Sequence, residues 1–218
     1  LGLGNNRVEG PLPTEIGNLV LLQDLNLSFN SLTSLPSEIG NLQLLRNLFA
    51  PGNDIAGTIP TEVGSMVTLL SLDLSGNALT GQIPSEMGNL LAIQNLLNLS
   101  NNQLSGSIPS EMGQLLFLRT LLLHTNLLTG QLPSSFSALG RLNTFRLDSN
   151  DLNGTIPDPV CEVFNSSIPV FVSDCVGDEL SCPCCMFCCE DGDNCQCQYE
   201  NTGLSFLCSE FNNRQRNM

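Results

Sequence analysis

Residues 69–90 read Leu69-Leu-Ser-Leu-Asp-Leu-Ser-Gly-Asn-Ala-Leu-Thr-Gly-Gln-Ile-Pro-Ser-Glu-Met-Gly-Asn-Leu90. Leu69, Leu72, Leu74 and Leu79 surround Asn77, and Gly81-x-Ile83-Pro84 follows. Sliding the chain along itself returns the same asparagine at Asn6, Asn30, Asn53, Asn77, Asn102, Asn126 and Asn150, in steps of 24, 23, 24, 25, 24 and 24 residues. A period this constant is the signature of a solenoid and takes precedence over local propensity. Leu72 and Leu74 alternate with Ser71, Asp73 and Ser75, so each turn holds a short strand with leucines inward. Stacked turns set these strands side by side as a parallel sheet, which requires the long return path that the rest of each turn supplies. The asparagine bends the chain out of the strand, and its amide can serve backbone groups of neighbouring turns that burial would leave without partners. Gly-x-Ile-Pro predicts a second extended stretch. Ser85-Glu86 predicts a helix start, with Ser85 as N-cap and Glu86 at the positive end of the helix dipole.

The pattern resembles the leucine-rich repeat family. Its Leu-Thr-Gly-Gln-Ile-Pro-Ser-Glu-Met-Gly-Asn-Leu half is similar to the plant-type subclass of receptor ectodomains and polygalacturonase-inhibiting proteins. The resemblance implies an α/β repeat fold: a curved solenoid with a concave parallel β-sheet and short helical return segments. It also implies recognition of a protein, peptide or glycan on the concave face. The predicted organisation is a solenoid of seven turns at 1–157 lacking an N-terminal cap, a cysteine-rich C-terminal cap at 158–208, and a disordered polar tail at 209–218. The start within a strand pattern suggests a fragment or a processed form.

Composition narrows the partners. The 218 residues carry seven basic and 21 acidic side chains, a net charge of −14, which argues against nucleic acid and anionic membrane surfaces. No apolar run approaches the roughly 18 residues of a membrane span. All ten cysteines fall at or after position 161: Cys161, Cys175, Cys182, Cys184, Cys185, Cys188, Cys189, Cys195, Cys197 and Cys208. Read as disulfides, they pair evenly and clamp a tail too small for its own core, in an oxidising, extracellular or cell-surface setting. The alternative is a zinc site, but no histidine accompanies the thiols. No cofactor is indicated. The Cys-x-Cys-Cys-x-x-Cys-Cys run resembles the tails of secreted or receptor-like leucine-rich repeat proteins of microalgae, the diatom type. Sequons at Asn26, Asn98, Asn153 and Asn165 are candidate glycosylation sites.

Individual turns depart from the pattern. The second reads Thr-Ser-Leu-Pro and lacks the usual glycine. The third has Ala50 at a leucine position and Pro51 on the strand's outer face, where it cannot donate to a ladder. The fifth has an extra residue near Ile93, which predicts a bulge or widened turn. In the sixth, Ser134-Ser135-Phe136 weakens the helix signal. Phe164 and Phe171 are placed to cover the open end of the core.

The outward strand positions form three columns: Gly2, Asn26, Phe49, Asp73, Asn98, Leu122, Arg146; Gly4, Ser28, Pro51, Ser75, Ser100, His124, Asp148; and Asp24, Asn47, Ser71, Leu96, Thr120, Thr144. Most are small and polar. The candidate ligand-binding residues are the exceptions: Phe49, Asp73, Leu122, His124, Arg146 and Asp148. The bland alternative is an ordinary solvated face. His124 and Asp148 are placed to hydrogen-bond, with Ser100 on the other side of His124. Nothing marks a nucleophile turn or an oxyanion hole, so the chain reads as non-catalytic. The glutamates Glu15, Glu38, Glu62, Glu86 and Glu111 align as an acidic stripe, each read first as stabilising its own helix start. Three functions remain open: the recognition part of a receptor-like or adhesion protein, a free secreted inhibitor of a cell-wall-degrading enzyme, and a structural ice- or wall-associated surface.

Overall fold

The computed structural model describes residues 1–167, 170–174, 180–181, 187–190 and 194–196. Its spine is a sheet of nine strands among the described residues, and the middle residue of each three-residue repeat strand points inward. The strands Asp24–Asn26, Asn47–Phe49, Ser71–Asp73, Leu96–Asn98, Thr120–Leu122 and Thr144–Arg146 run parallel in sequence order. Their middle residues, Leu25, Leu48, Leu72, Leu97, Leu121 and Phe145, are fully buried. Registration is residue to residue along each rung, from Asn26 through Phe49, Asp73, Asn98 and Leu122 to Arg146. Such pairing carries about 4.8 Å per step across the sheet.

The sheet continues past the seventh turn. Helix Asp158–Ser167 occupies the return path, then strand Val170–Asp174 pairs in parallel with Thr144–Arg146, and Phe187–Glu190 pairs with that. Asn194–Gln196 closes the edge as an antiparallel hairpin. Phe171 is buried and stacks on Phe145 at 5.3 Å between centroids, and Phe145 meets Phe136 at 5.8 Å. Aromatics thus replace leucine where the core ends.

Six of the seven ladder asparagines join two turns. The amide of Asn102 donates to the carbonyls of Leu74, Leu99 and Ser100 at 3.0, 3.1 and 3.2 Å, and its oxygen accepts from Leu79 N–H at 3.1 Å. Asn30, Asn53, Asn77, Asn126 and Asn150 repeat this set. Asn6 bonds within its own turn, to Leu3 and Gly4 carbonyls.

The return path differs from expectation in two ways. The second strand is Ala78–Gly81, one step before Ile83-Pro84, and it ends where Gly81 takes φ 74°. Its equivalents, from Ala56–Gly57 through Asp151–Leu152, form a second parallel sheet. The second turn lacks that glycine. Its strand Ser31–Ser34 pairs with Glu9–Pro11 through a register shift and stays outside the second sheet. The helices are five-residue 3-10 turns such as Ser85–Asn89, with Pro84 at the cap position and no side-chain cap. Ser85 is therefore not the N-cap: its hydroxyl contacts the Glu86 carboxylate at 3.3 Å. A glycine follows in these helices because the next turn presses against it. A Cβ on Gly88 would lie 2.5 Å from the Glu111 carbonyl oxygen. The 3-10 helix persists at Ser134–Ala138, held by buried Phe136. In the fifth turn the extra residue is absorbed before the strand: Gln94 and Asn95 both donate to Leu70 O, and the strand starts at Leu96.

Candidate ligand-binding face

The six candidate residues fall into two groups. Phe49 and Asp73 are partners on adjacent strands, as are Leu122 and Arg146. Phe49 and Leu122 are three strands apart, roughly 14 Å at about 4.8 Å per strand. The face therefore has a nonstandard patch toward each end and a polar middle.

The polar residues form a local lock. In the second, fourth and fifth turns the third strand residue, Asn26, Asp73 or Asn98, accepts two hydrogen bonds from the serine two positions on. Asn26 Oδ1 accepts from Ser28 N–H at 3.0 Å and its hydroxyl at 2.6 Å. Asp73 takes Ser75 at 2.9 and 2.7 Å, and Asn98 takes Ser100 at 3.1 and 2.7 Å. The third turn replaces both members. Phe49 offers no acceptor, and Pro51 has no N–H to satisfy. The exchange leaves no backbone donor unpaired and turns a polar lock into an apolar pair.

At the other patch, Arg146 and Asp148 form a bidentate pair, Nε to Oδ1 at 2.9 Å and Nη2 to Oδ2 at 2.6 Å. Asp148 is buried while Arg146 stays partly exposed. Asp148 is thereby taken, and the expected bond to His124 does not form. His124 Nδ1 contacts the Thr125 hydroxyl at 3.2 Å instead. Burial, then repulsion by the Arg146 guanidinium, lowers the His124 pKa from 6.5 to about 4, with Asp148 opposing only in part. The ring is neutral at pH 7. Ser100 donates to Asn98, so Ser100, His124 and Asp148 do not assemble as a triad.

Sequence reasoning missed a fourth row, the residue before each ladder asparagine. All seven members have positive φ: Asn5, Phe29, Gly52, Gly76, Asn101, Thr125 and Ser149. Four are glycine or asparagine, which tolerate that region, and this was the available signal. Phe29 (φ 53°), Thr125 (φ 56°) and Ser149 (φ 58°) are the exceptions, the first beside one patch and the other two beside the other. Phe29 is 59% exposed and lies on Gly52, where a Cβ would come within 2.6 Å of its ring.

Among the sequons, Asn26 and Asn153 are exposed and Asn98 is half-buried. Asn165 falls in the helix Asp158–Ser167, its side chain outside the described residues, as is that of Phe164. Cys161 is disulfide-bonded. Cys175, Cys182, Cys184, Cys185, Cys197 and Cys208 lie outside the described residues, as does the tail 209–218, and only the backbone of Cys188, Cys189 and Cys195 lies within them. No described group of acidic, cysteine and histidine residues could hold a metal ion. No described helix is long and apolar enough to cross a membrane.

The sequence model of the family described as Leucine Rich Repeat matches residues 21–42, 68–90, 95–115 and 117–139. The matched turns are leucine-rich repeats. The match skips the third repeat, where Ala50 and Pro51 stand. The leucine-rich repeat fold is shared with the ectodomain of the plant membrane receptor kinase GASSHO1/SCHENGEN3 from Arabidopsis thaliana, solved with CASPARIAN STRIP INTEGRITY FACTOR 2. That structure is 37% identical at a TM-score of 0.75, over 79% of this chain and 21% of that one. The plant peptide hormone receptor RGFR1 in complex with RGF2 is 35% identical at 0.75, over 80% and 28%. A plant ice-binding protein is 30% identical at 0.61, over 73% and 52%. This chain thus spans under a third of the two receptor ectodomains. No curated protein matches it.

Proposed function

We propose that this chain is an extracellular or cell-surface recognition module that binds a protein or peptide ligand across its concave sheet, without catalysis. The observation that carries this reading is the sheet itself. Buried leucines and the asparagine ladder repeat with little change, while the outward residues break their own polar pattern at two patches. Variation on a rigid face is how repeat scaffolds build binding surfaces. The likeness to receptor ectodomains solved with peptide hormones supports the same reading. In this reading the remaining cysteines form a disulfide framework behind Cys161, and exposed Asn153 carries a glycan away from the concave face.

The test is a peptide and glycan array probed with the intact protein and three variants, all produced without N-glycosylation because Phe49→Asn/Pro51→Ser and Leu91→Ser each create an Asn-x-Ser sequon. Hits lost in Phe49→Asn/Pro51→Ser or in Leu122→Asn, and kept in Leu91→Ser on the flank beside the 3-10 helices, support the reading. Hits that only Leu91→Ser removes move the site off the concave face and sink it. A second reading, an ice-associated surface, rests on the likeness to the plant ice-binding protein. Against it, Phe49, Pro51, His124 and Arg146 interrupt any regular hydroxyl and amide array. Suppression of ice recrystallisation by the intact protein, unaffected by those concave variants, would favour it.

A further inference from the structure

The two patches differ in what they leave available. At the C-terminal patch the cation is already matched, Arg146 by Asp148, and the pair is the only ion pair among the described residues. The N-terminal patch has no such match. Asp73 sits in register beside Phe49, and Asp24 lies across the strand pair from Asn47, whose amide it accepts at 2.6 Å. Both carboxylates are held in place by neutral donors, Asn47 for Asp24 and Ser75 for Asp73. Phe49 stands on the strand between theirs, and the apolar surface of this half of the face runs from it past the strand ends. It consists of Phe49 and Pro51 from the exchanged lock and Phe29, held at φ 53° over Gly52.

Three features of the patch depend on one another. Phe49 is tolerated because Pro51 removes the donor that an Asn or Asp would otherwise accept from. Phe29 can lie flat because Gly52 has no Cβ. Phe29 keeps a left-handed backbone that a non-glycine residue adopts only at a cost. A strained aromatic kept 59% exposed does not contribute to the core. Asp24 and Asp73 stand on the strands either side of Phe49, and the whole chain carries −14.

We infer that Phe29, Phe49 and Pro51 form an apolar anchor site for an extended cationic peptide, seating one apolar or aromatic side chain while Asp24 and Asp73 pair with flanking lysine or arginine. This rests on the recognition reading above and specifies its ligand. An apolar anchor beside carboxylates held only by neutral donors is the arrangement that yields both affinity and charge selection.

The experiment is selection from a random, C-terminally amidated twelve-residue peptide library on the intact protein, followed by affinity measurement of the enriched peptides, with every protein produced without N-glycosylation because Phe49→Asn/Pro51→Ser and Asp73→Asn each create an Asn-x-Ser sequon. Enriched sequences carry lysine or arginine next to an apolar residue. Phe49→Asn/Pro51→Ser restores the lock found in neighbouring repeats, so the fold is kept, and it weakens binding by about tenfold or more. Asp73→Asn keeps the acceptor for Ser75, weakens binding severalfold, and flattens its dependence on salt. Leu122→Asn leaves binding within about twofold. Acidic or uncharged enriched peptides overturn the inference, as does binding lost in Leu122→Asn but kept in Phe49→Asn/Pro51→Ser. Those outcomes leave the recognition reading standing. A library that yields no peptide dependent on either patch overturns both.

Discussion

Asn102 makes four hydrogen bonds with one side-chain amide, all to backbone groups inside the stack. Removing it leaves a buried N–H and several carbonyls without partners, each unmade bond costing about 1–3 kcal/mol. Asn102→Ala is expected to lose about 3 kcal/mol in urea denaturation, and Asn6→Ala under about 1, because Asn6 is exposed and bonds only its own turn. Equal losses would refute a load shared between turns. His124 gives a pH dependence whose sign can be worked out. The unfolded chain protonates this ring near pH 6.5, and the folded one not until about 4. Between those values the unfolded state binds the extra proton, so stability falls as pH drops from 6.5 toward 4. The half-buried ring limits the effect to about 1 kcal/mol. His124→Asn should remove that part of the slope in paired denaturation curves at pH 7 and pH 4.5. Parallel curves would mean the ring titrates alike in both states.

At the scale of the element, the glycine in each Glu-x-Gly helix sets how closely successive turns approach. Gly88→Ala drives a methyl into the Glu111 carbonyl region and should cost about 2 kcal/mol through displaced backbone. Gly140→Ala meets nothing within 4 Å and should be neutral or stabilising by a few tenths. Thermal melts of the two variants decide this, and a similar fall in both would remove the spacing argument. The same contrast shows what the sequence could and could not disclose. Strand positions, rungs and the asparagine ladder follow from a period of about 24, because periodicity fixes which residues are neighbours. The Ser85 cap could not be inferred correctly, because a proline at the preceding position already fixes an extended backbone. The bond from His124 to Asp148 was legible as proximity only. Competition from Arg146, two residues before Asp148 at the end of the strand, decides the partner, and a column-by-column reading looks across strands and not along the chain. The continuation of the sheet through Val170–Asp174 carries no repeat signature, since a ten-residue helix and Phe171 stand where a 3-10 turn and leucine had been.

Across the whole molecule, stability is a sum over neighbours, so damage at one end stays at that end. Phe171→Ala removes the ring that stacks on Phe145 and should cost about 3–4 kcal/mol. Hydrogen exchange should quicken for amides of 140–174 while those of 47–98 keep their protection. Uniform loss along the chain would mean one cooperative unit. The ladder also has a direction. The amide of each repeat reaches back to the carbonyls and N–H of the repeat before it, as Asn30 does to Leu3 and Val8 and Asn150 to Leu123 and Leu128. A repeat is therefore finished by residues made about two dozen positions later. On the ribosome, where chains emerge N-terminus first, each newly exposed turn completes its predecessor and leaves its own groups waiting. The growing tip is always one asparagine short, so assembly proceeds as a ratchet from the N-terminal end.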